Sequence, residues 1–184
     1  MTFILCEVFP VTLVSKYPVL IQHSQEKKLA PWMIPNMRHI HPNEIVVHHL
    51  LTYFGDAFDP CQMIVHSTSW RYEHESDCLL LTYLAVLPQG GWLDQWIATQ
   101  RISLEPIRAL ATHHGDHLFP PKHIEHHTAL AHALDHLASL SIYDPAIQAV
   151  LEPEWRETLQ PRLPKPAGYL QVPHLTIARE ECLK

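Results

Sequence analysis

Two adjoining stretches decide the fold: Gln62–Tyr72 (QMIVHSTSWRY) and Cys78–Leu87 (CLLLTYLAVL), joined by the charged loop Glu73–Asp77. Strand side chains point to alternate sides with a period of two. The first stretch therefore predicts Ile64, His66, Thr68, Trp70 and Tyr72 on one face, with Met63, Val65, Ser67, Ser69 and Arg71 on the other. The second stretch is apolar at nearly every position, as suits a strand covered on both faces. Together they predict a β-hairpin whose return strand lies inside a sheet.

Upstream of the hairpin, Phe3–Val8 and Val11–Val14 have strand composition with Pro10 between them, and Val19–Gln22 is a third short strand. Glu44–Phe54 predicts a helix, because Pro42 and Asn43 suit its start and Gly55 suits a left-handed cap at its end. Downstream, Trp92–Arg101 fits a helix or a strand equally. Pro120 and Pro121 introduce a long helix over about Lys122–Ser139. At helical spacing it gathers Ile124, Leu130, Ala131, Leu134, Leu137 and Ala138 into one stripe. Asp144 and Pro145 begin a short helix to about Leu151, Pro153 begins another that Pro161 ends, and Leu170–Ile177 is a further strand candidate. The expected class is α+β: a mixed or antiparallel sheet with a central hairpin, flanked by helices, and a helical C-terminal third. Residues 1–160 are expected to form one domain, with the proline-rich extension 161–184 packing on it.

A chain of 184 residues can bury a substantial core. A net charge of −6 with only 13 Lys and Arg argues against a nucleic-acid surface, because phosphate binding depends on cationic side chains. Cys6, Cys61, Cys78 and Cys182 form no CxxC pair, which excludes a zinc ribbon or a thioredoxin-like motif and favours reduced thiols. The apolar N-terminal stretch lacks a basic segment and is interrupted by Glu7 and Pro10, so no signal peptide is expected. The longest apolar run, Cys78–Leu87, is far too short to span a bilayer. A cytoplasmic protein without a membrane partner is the expectation.

Histidine supplies the chemistry. The chain has 16 histidines, and His113, His114, His117, His123, His126, His127, His132 and His136 crowd about one eighth of it. Histidine both ligates metals and transfers protons near neutral pH. On the long helix, His123 and His127 form one i,i+4 pair and His132 and His136 a second, on the side away from the apolar stripe. Such a pair can place two ligands on one ion. The stretch from His132 to His136 is similar to an HxxEH motif with Asp135 in the Glu position. Zinc needs at least a third protein ligand. His66 is the preferred third, with Asp135 or Glu125 as the candidate catalytic carboxylate and Zn²⁺ or another divalent transition metal as the cofactor. Thr112–His117 (THHGDH) resembles the HxHxDH loop of metallo-β-lactamase-like hydrolases at His114, Asp116 and His117, but Thr112 stands where the first His belongs. In the hairpin, Ser67, Ser69, Trp70 and Arg71 combine hydroxyls, an aromatic ring and a cation, a set able to bind a carboxylate or phosphate.

Trp32-Met-Ile-Pro35, a helix ending at Gly55, two long strands and a later helix resemble the Nudix hydrolase fold over roughly residues 30 to 90. In that family a Trp-x-x-Pro-Gly-Gly turn leads into a helix ending Arg-Glu-aliphatic-x-Glu-Glu-x-Gly. With the final glycine on Gly55, Leu50 takes the aliphatic position. The Arg-Glu pair falls on His48 and His49, the Glu-Glu pair on Thr52 and Tyr53, and the upstream Gly and Glu on Ile34 and Ile40. Those glutamates hold the hard divalent ions used to cleave diphosphates, so the resemblance implies the scaffold without the classical activity.

The leading functional expectation is a non-catalytic or divergent binding module that recognises a small molecule or a protein at a His/Ser/Arg/Trp-lined cleft. A metal-dependent hydrolase built on His66, His132 and His136 is the alternative. A third is a structural or assembly protein, homo-oligomeric or not, that packs exposed Trp92 and Trp96 against a partner.

Overall fold

The computed structural model describes residues 3–26, 29–36, 40–107 and 125–160. The sequence expectations for Thr112–His117, His123, Ile124 and Leu170–Ile177, and for the packing of 161–184, lie outside them.

Among the described residues a six-stranded mixed sheet is built around β1 (Phe3–Val14). Pro10 does not divide this strand. β5 (Cys78–Val86) pairs parallel with β1 from Phe3 to Val11 along one side. On the other side, β3 (Trp32–Pro35) pairs antiparallel with Leu5–Val8, and β2 (Tyr17–His23) with Val11–Val14. Residues 9 and 10 fall between those two partners, so proline's missing N–H leaves both ladders whole. Ser15 and Lys16 both have positive φ, the conformation a two-residue hairpin between β1 and β2 requires. β6 (Ile102–Pro106) extends the sheet beyond β2, and β4 (Ile64–Glu73) forms the opposite edge beside β5. The hairpin therefore occupies one side of the sheet, with its apolar return strand between β4 and β1.

Helices cover both faces, and the two cores follow from strand alternation. On one face, Phe9, Val11, Leu13, Ile64, Leu84 and Val86 meet α3 (His126–Tyr143). Leu151 and, from α5 (Pro153–Leu159), Trp155 and Leu159 complete that core, while α4 (Pro145–Val150) lies between α3 and α5. On the other face, Cys6, Val8, Ile21, Trp32 and Ala85 meet Val46, Leu50 and Phe54 of α1 (Pro42–Phe54) and Leu93 of α2 (Trp92–Ala98). The fold is α+β with its C-terminal part helical.

Three boundaries moved, among them the start of the long helix, where Glu125 is extended and α3 begins at His126 rather than near Lys122. The ambiguous stretch after Gly91 becomes α2, a turn with Gln100 at positive φ, and then β6. The long helix continues four residues past Ser139, because Leu140 accepts from the Asp144 N–H and the helix stops only before Pro145. Its buried side is as spaced in the sequence, with Leu130, Ala131, Leu134, Leu137 and Ala138 joined by Ala129 and Ala133. Trp92 and Trp96 are half-buried and packed on Phe54, Phe58 and Tyr53, which corrects their expected role as exposed contacts.

Candidate functional site

A β-bulge decides which hairpin residues can act together. Ser67 lies opposite Tyr83 and Ser69 opposite Thr82, so Thr68 is the extra residue. Neighbouring Thr82 and Tyr83 point to opposite faces, and so therefore do Ser67 and Ser69. This corrects the alternation expected from sequence. His66, Ser69 and Arg71 share the face that packs on α3, whereas Ser67, Trp70 and Tyr72 share the other. Of the candidate ligand set, Ser67, expected beside Ser69 and Arg71, thus lies on the other face with Trp70. The Thr68 hydroxyl turns inward and donates to the Thr82 carbonyl at 3.2 Å.

Arg71 does not present a free guanidinium. It grips the carboxylate of Glu7, Nη1 to Oε2 at 2.6 Å and Nη2 to Oε1 at 2.9 Å, while its Nε donates to Glu73 at 3.1 Å. Glu7 lies in the middle of β1 with no solvent exposure. The Thr82 hydroxyl donates to its Oε2 at 3.0 Å, and the Nδ1 of His126, in the first turn of α3, meets its Oε1 at 2.9 Å. Burial alone would raise this carboxyl. The hydrogen bonds from Arg71, His126 and Thr82 and the charge of Arg71 outweigh it and hold the group at about 2. Sequence reasoning missed this centre and treated Glu7 only as a break in an apolar run. The signal was present: a lone acid flanked at alternate positions by Leu5 and Phe9 must be buried, and a buried charge must be paired.

The histidines farther along α3 do converge on the hairpin. The ring of His66 stacks near that of His136, centroids 6.0 Å apart, and His132 meets His136 edge-on at 5.1 Å. All three are half-buried on the seam between α3 and β4 rather than on an outward face. Burial first, and then the charge of His136, lowers the His66 pKa, against a smaller raising effect of Asp144. Even so, no group of three or more His, Cys, Asp or Glu among the described residues is placed to hold a metal ion. Asp135 precedes His136 on the helix, and its carbonyl accepts from the Ser139 hydroxyl at 3.2 Å. Glu125 caps the start of α3, two turns from His132, where its exposed carboxylate meets His127 at 2.8 Å.

A second cluster surrounds Trp32 on the opposite face. His23 stacks on it at 4.4 Å, Tyr53 meets both rings edge-on, and the Tyr53 hydroxyl donates to the Arg101 carbonyl at 3.0 Å. Its rings are largely occupied by one another. Trp70, by contrast, is 72% exposed, and Tyr72 beside it is 40% exposed.

No protein-family model matches the chain, and no curated protein matches it. Among solved structures, the chain is similar to NrtR of Shewanella oneidensis, with a TM-score of 0.55 over 90% of this chain and 79% of that one, at 14% identity. A likeness at that identity shows the fold alone. The Nudix resemblance is corrected accordingly. Trp32–Pro35, aligned with the family's turn, is a strand paired with Leu5–Val8, and the positions of the metal-holding glutamates carry Thr52 and Tyr53. Among the described residues no helix is long and apolar enough to cross a membrane.

Proposed function

We propose that this chain is a non-catalytic binding module whose partner is a protein, engaged through the outer face of the hairpin around Trp70 and Tyr72. The observation that carries this reading is Trp70, nearly three-quarters exposed on the edge strand β4 with a second exposed aromatic two residues on. Tryptophan and tyrosine anchor protein interfaces because each removes a large apolar area from water for little side-chain entropy. Solubility or folding alone does not favour a tryptophan there. The Arg71 guanidinium and the Glu7 carboxylate, which could have served chemistry, support the reading from the other side, since each is engaged by the other inside the fold.

Crosslinking in native extract followed by mass spectrometry, with the wild type and Trp70→Ala side by side, tests it. A crosslinked protein recovered with the wild type should fall at least tenfold with Trp70→Ala, while the variant melts with the parent. Undiminished crosslinking, or a purified protein that carries stoichiometric metal and hydrolyses ester or phosphate substrates, would sink the proposal.

A further inference from the structure

We propose that the protein partner is a second copy of this chain, joined edge to edge along β4. Ser69–Glu73 pairs antiparallel with the same stretch of the copy about a two-fold axis at Arg71. This rests on the reading of the hairpin's outer face as an interface and names what that face meets.

The edge carries the argument. β4 ends the sheet, and among the described residues no strand pairs with its outer side, a template for another chain. The other free edges are guarded by proline. β6 finishes on Glu105 and Pro106, and β3 follows Pro31 and ends on Pro35. β4 has no proline and no lysine, and its one arginine is turned inward onto Glu7. The Thr68 bulge interrupts the strand and a turn begins at His74, so the regular stretch open to a neighbour is Ser69–Glu73. Arg71 is its midpoint.

Register decides the occupant. Directly opposite residues of antiparallel strands share a face, so pairing the whole stretch with itself sets Trp70 beside Tyr72 of the copy, and Tyr72 beside its Trp70. The most exposed aromatic surface of the hairpin thereby meets itself twice. Leu79 and Leu81, the half-buried β5 neighbours of Tyr72 and Trp70, carry the apolar surface back from the edge on each side. On the α3 face, Ser69 lies opposite Glu73 of the copy, and Arg71 is diagonal to that carboxylate. The two guanidinium groups nearest the axis are each matched already by Glu7 and Glu73, so negative charge surrounds them.

α3 leaves room for the copy. Its first turn stands over β1, where His126 meets Glu7, and it reaches β4 at His66, beyond the bulge. At about 3.3 Å per residue, the two helices meet their own β4 strands about 30 Å apart, on opposite sides of the axis. Four aromatic rings of about 150–250 Å² each, already partly covered, remove less surface than the roughly 1,200 Å² of a standard interface, so association is weak and micromolar.

Sedimentation velocity of the purified full chain over about 1–200 µM reads the association. A monomer–dimer equilibrium is expected, weakened about tenfold or more by Trp70→Ala. Mixing Trp70→Cys with Tyr72→Cys protein in oxidised glutathione, then mapping linked peptides, reads the register. That mixed pair keeps one complete Trp–Tyr contact, so links between positions 70 and 72 should outnumber like-position links about tenfold. A chain that stays monomeric, a dimer indifferent to Trp70→Ala, or a predominance of like-position links overturns the proposal. A monomer whose crosslink to another protein in extract still depends on Trp70 removes the second copy and leaves the interface reading standing. Loss of both removes both.

Discussion

Replacing Glu7 by Gln tests the physical account of this fold at its centre. The substitution keeps the size and shape of the side chain and removes its charge, leaving Arg71, itself 14% exposed, with Glu73 as its remaining carboxylate. Removing one partner of a buried ion pair typically costs about 3–5 kcal/mol, because the other charge stays buried. The titration leads to the same range: holding the carboxyl at about 2 against an ordinary 4.5 corresponds to about 3 kcal/mol in favour of the charged form. Because the folded pKa is depressed, that stabilisation is complete above about pH 4.5 and is lost progressively as pH falls toward 2. Urea denaturation at pH 7 should therefore show Glu7→Gln destabilised by about 3 kcal/mol, and its stability should change less than the parent's between pH 5 and 2.5. Glu7→Gln/Arg71→Met should be less damaged than the two single losses added together, since the orphaned guanidinium is gone. A loss below about 1 kcal/mol at pH 7, or strict additivity, would refute the argument that this pair is held by mutual compensation.

Other expectations follow from single residues. Gly55 ends α1 at φ 58° and ψ −135°, a conformation almost reserved for glycine, so Gly55→Ala should cost about 1–3 kcal/mol by thermal denaturation. An added Cβ there meets nothing within 4 Å, so the whole effect is conformational. Asp144→Ala removes an N-cap that satisfies two backbone donors, worth about 1 kcal/mol, and the His66 midpoint should drop further by NMR as the nearby carboxylate disappears. Leu134→Ala in the fully buried stripe of α3 should cost about 2–5 kcal/mol in urea midpoint experiments. Trp70→Ala should leave stability within about 0.5 kcal/mol, since its ring packs mainly against solvent.

Much of the element order is legible in the chain because it depends on neighbours in sequence. The stripe from Leu130 to Ala138, Gly55 as a helix stop, the Asp144–Pro145 start of α4 and the two-sided apolar run from Cys78 are all local signals, and each appears where its spacing places it. Thr68 is a different case. Nothing in Ser67-Thr68-Ser69 announces a bulge, yet one unpaired residue exchanges the faces of everything after it, so Ser67 lies with Trp70 and across the strand from Ser69 and Arg71, the reverse of what alternation alone gives. Trp32–Pro35, aligned with a turn by the family resemblance, is a strand paired with the edge of β1 beside Leu5–Val8.

The sequence by itself determined the histidine supply, the acidic balance, the helical periods and the apolar strand at the heart of the hairpin. Each is a property of composition or of residues a turn or a pleat apart. Tertiary structure alone decided that Glu7, 64 positions from Arg71 and 119 from His126, would become the buried centre of the charged network. It also decided that His66 would lie against His136 instead of facing solvent. A charge or an imidazole acquires its chemistry from what lies within a few ångströms of it. In this fold those neighbours are set by strand register and by how α3 crosses the sheet.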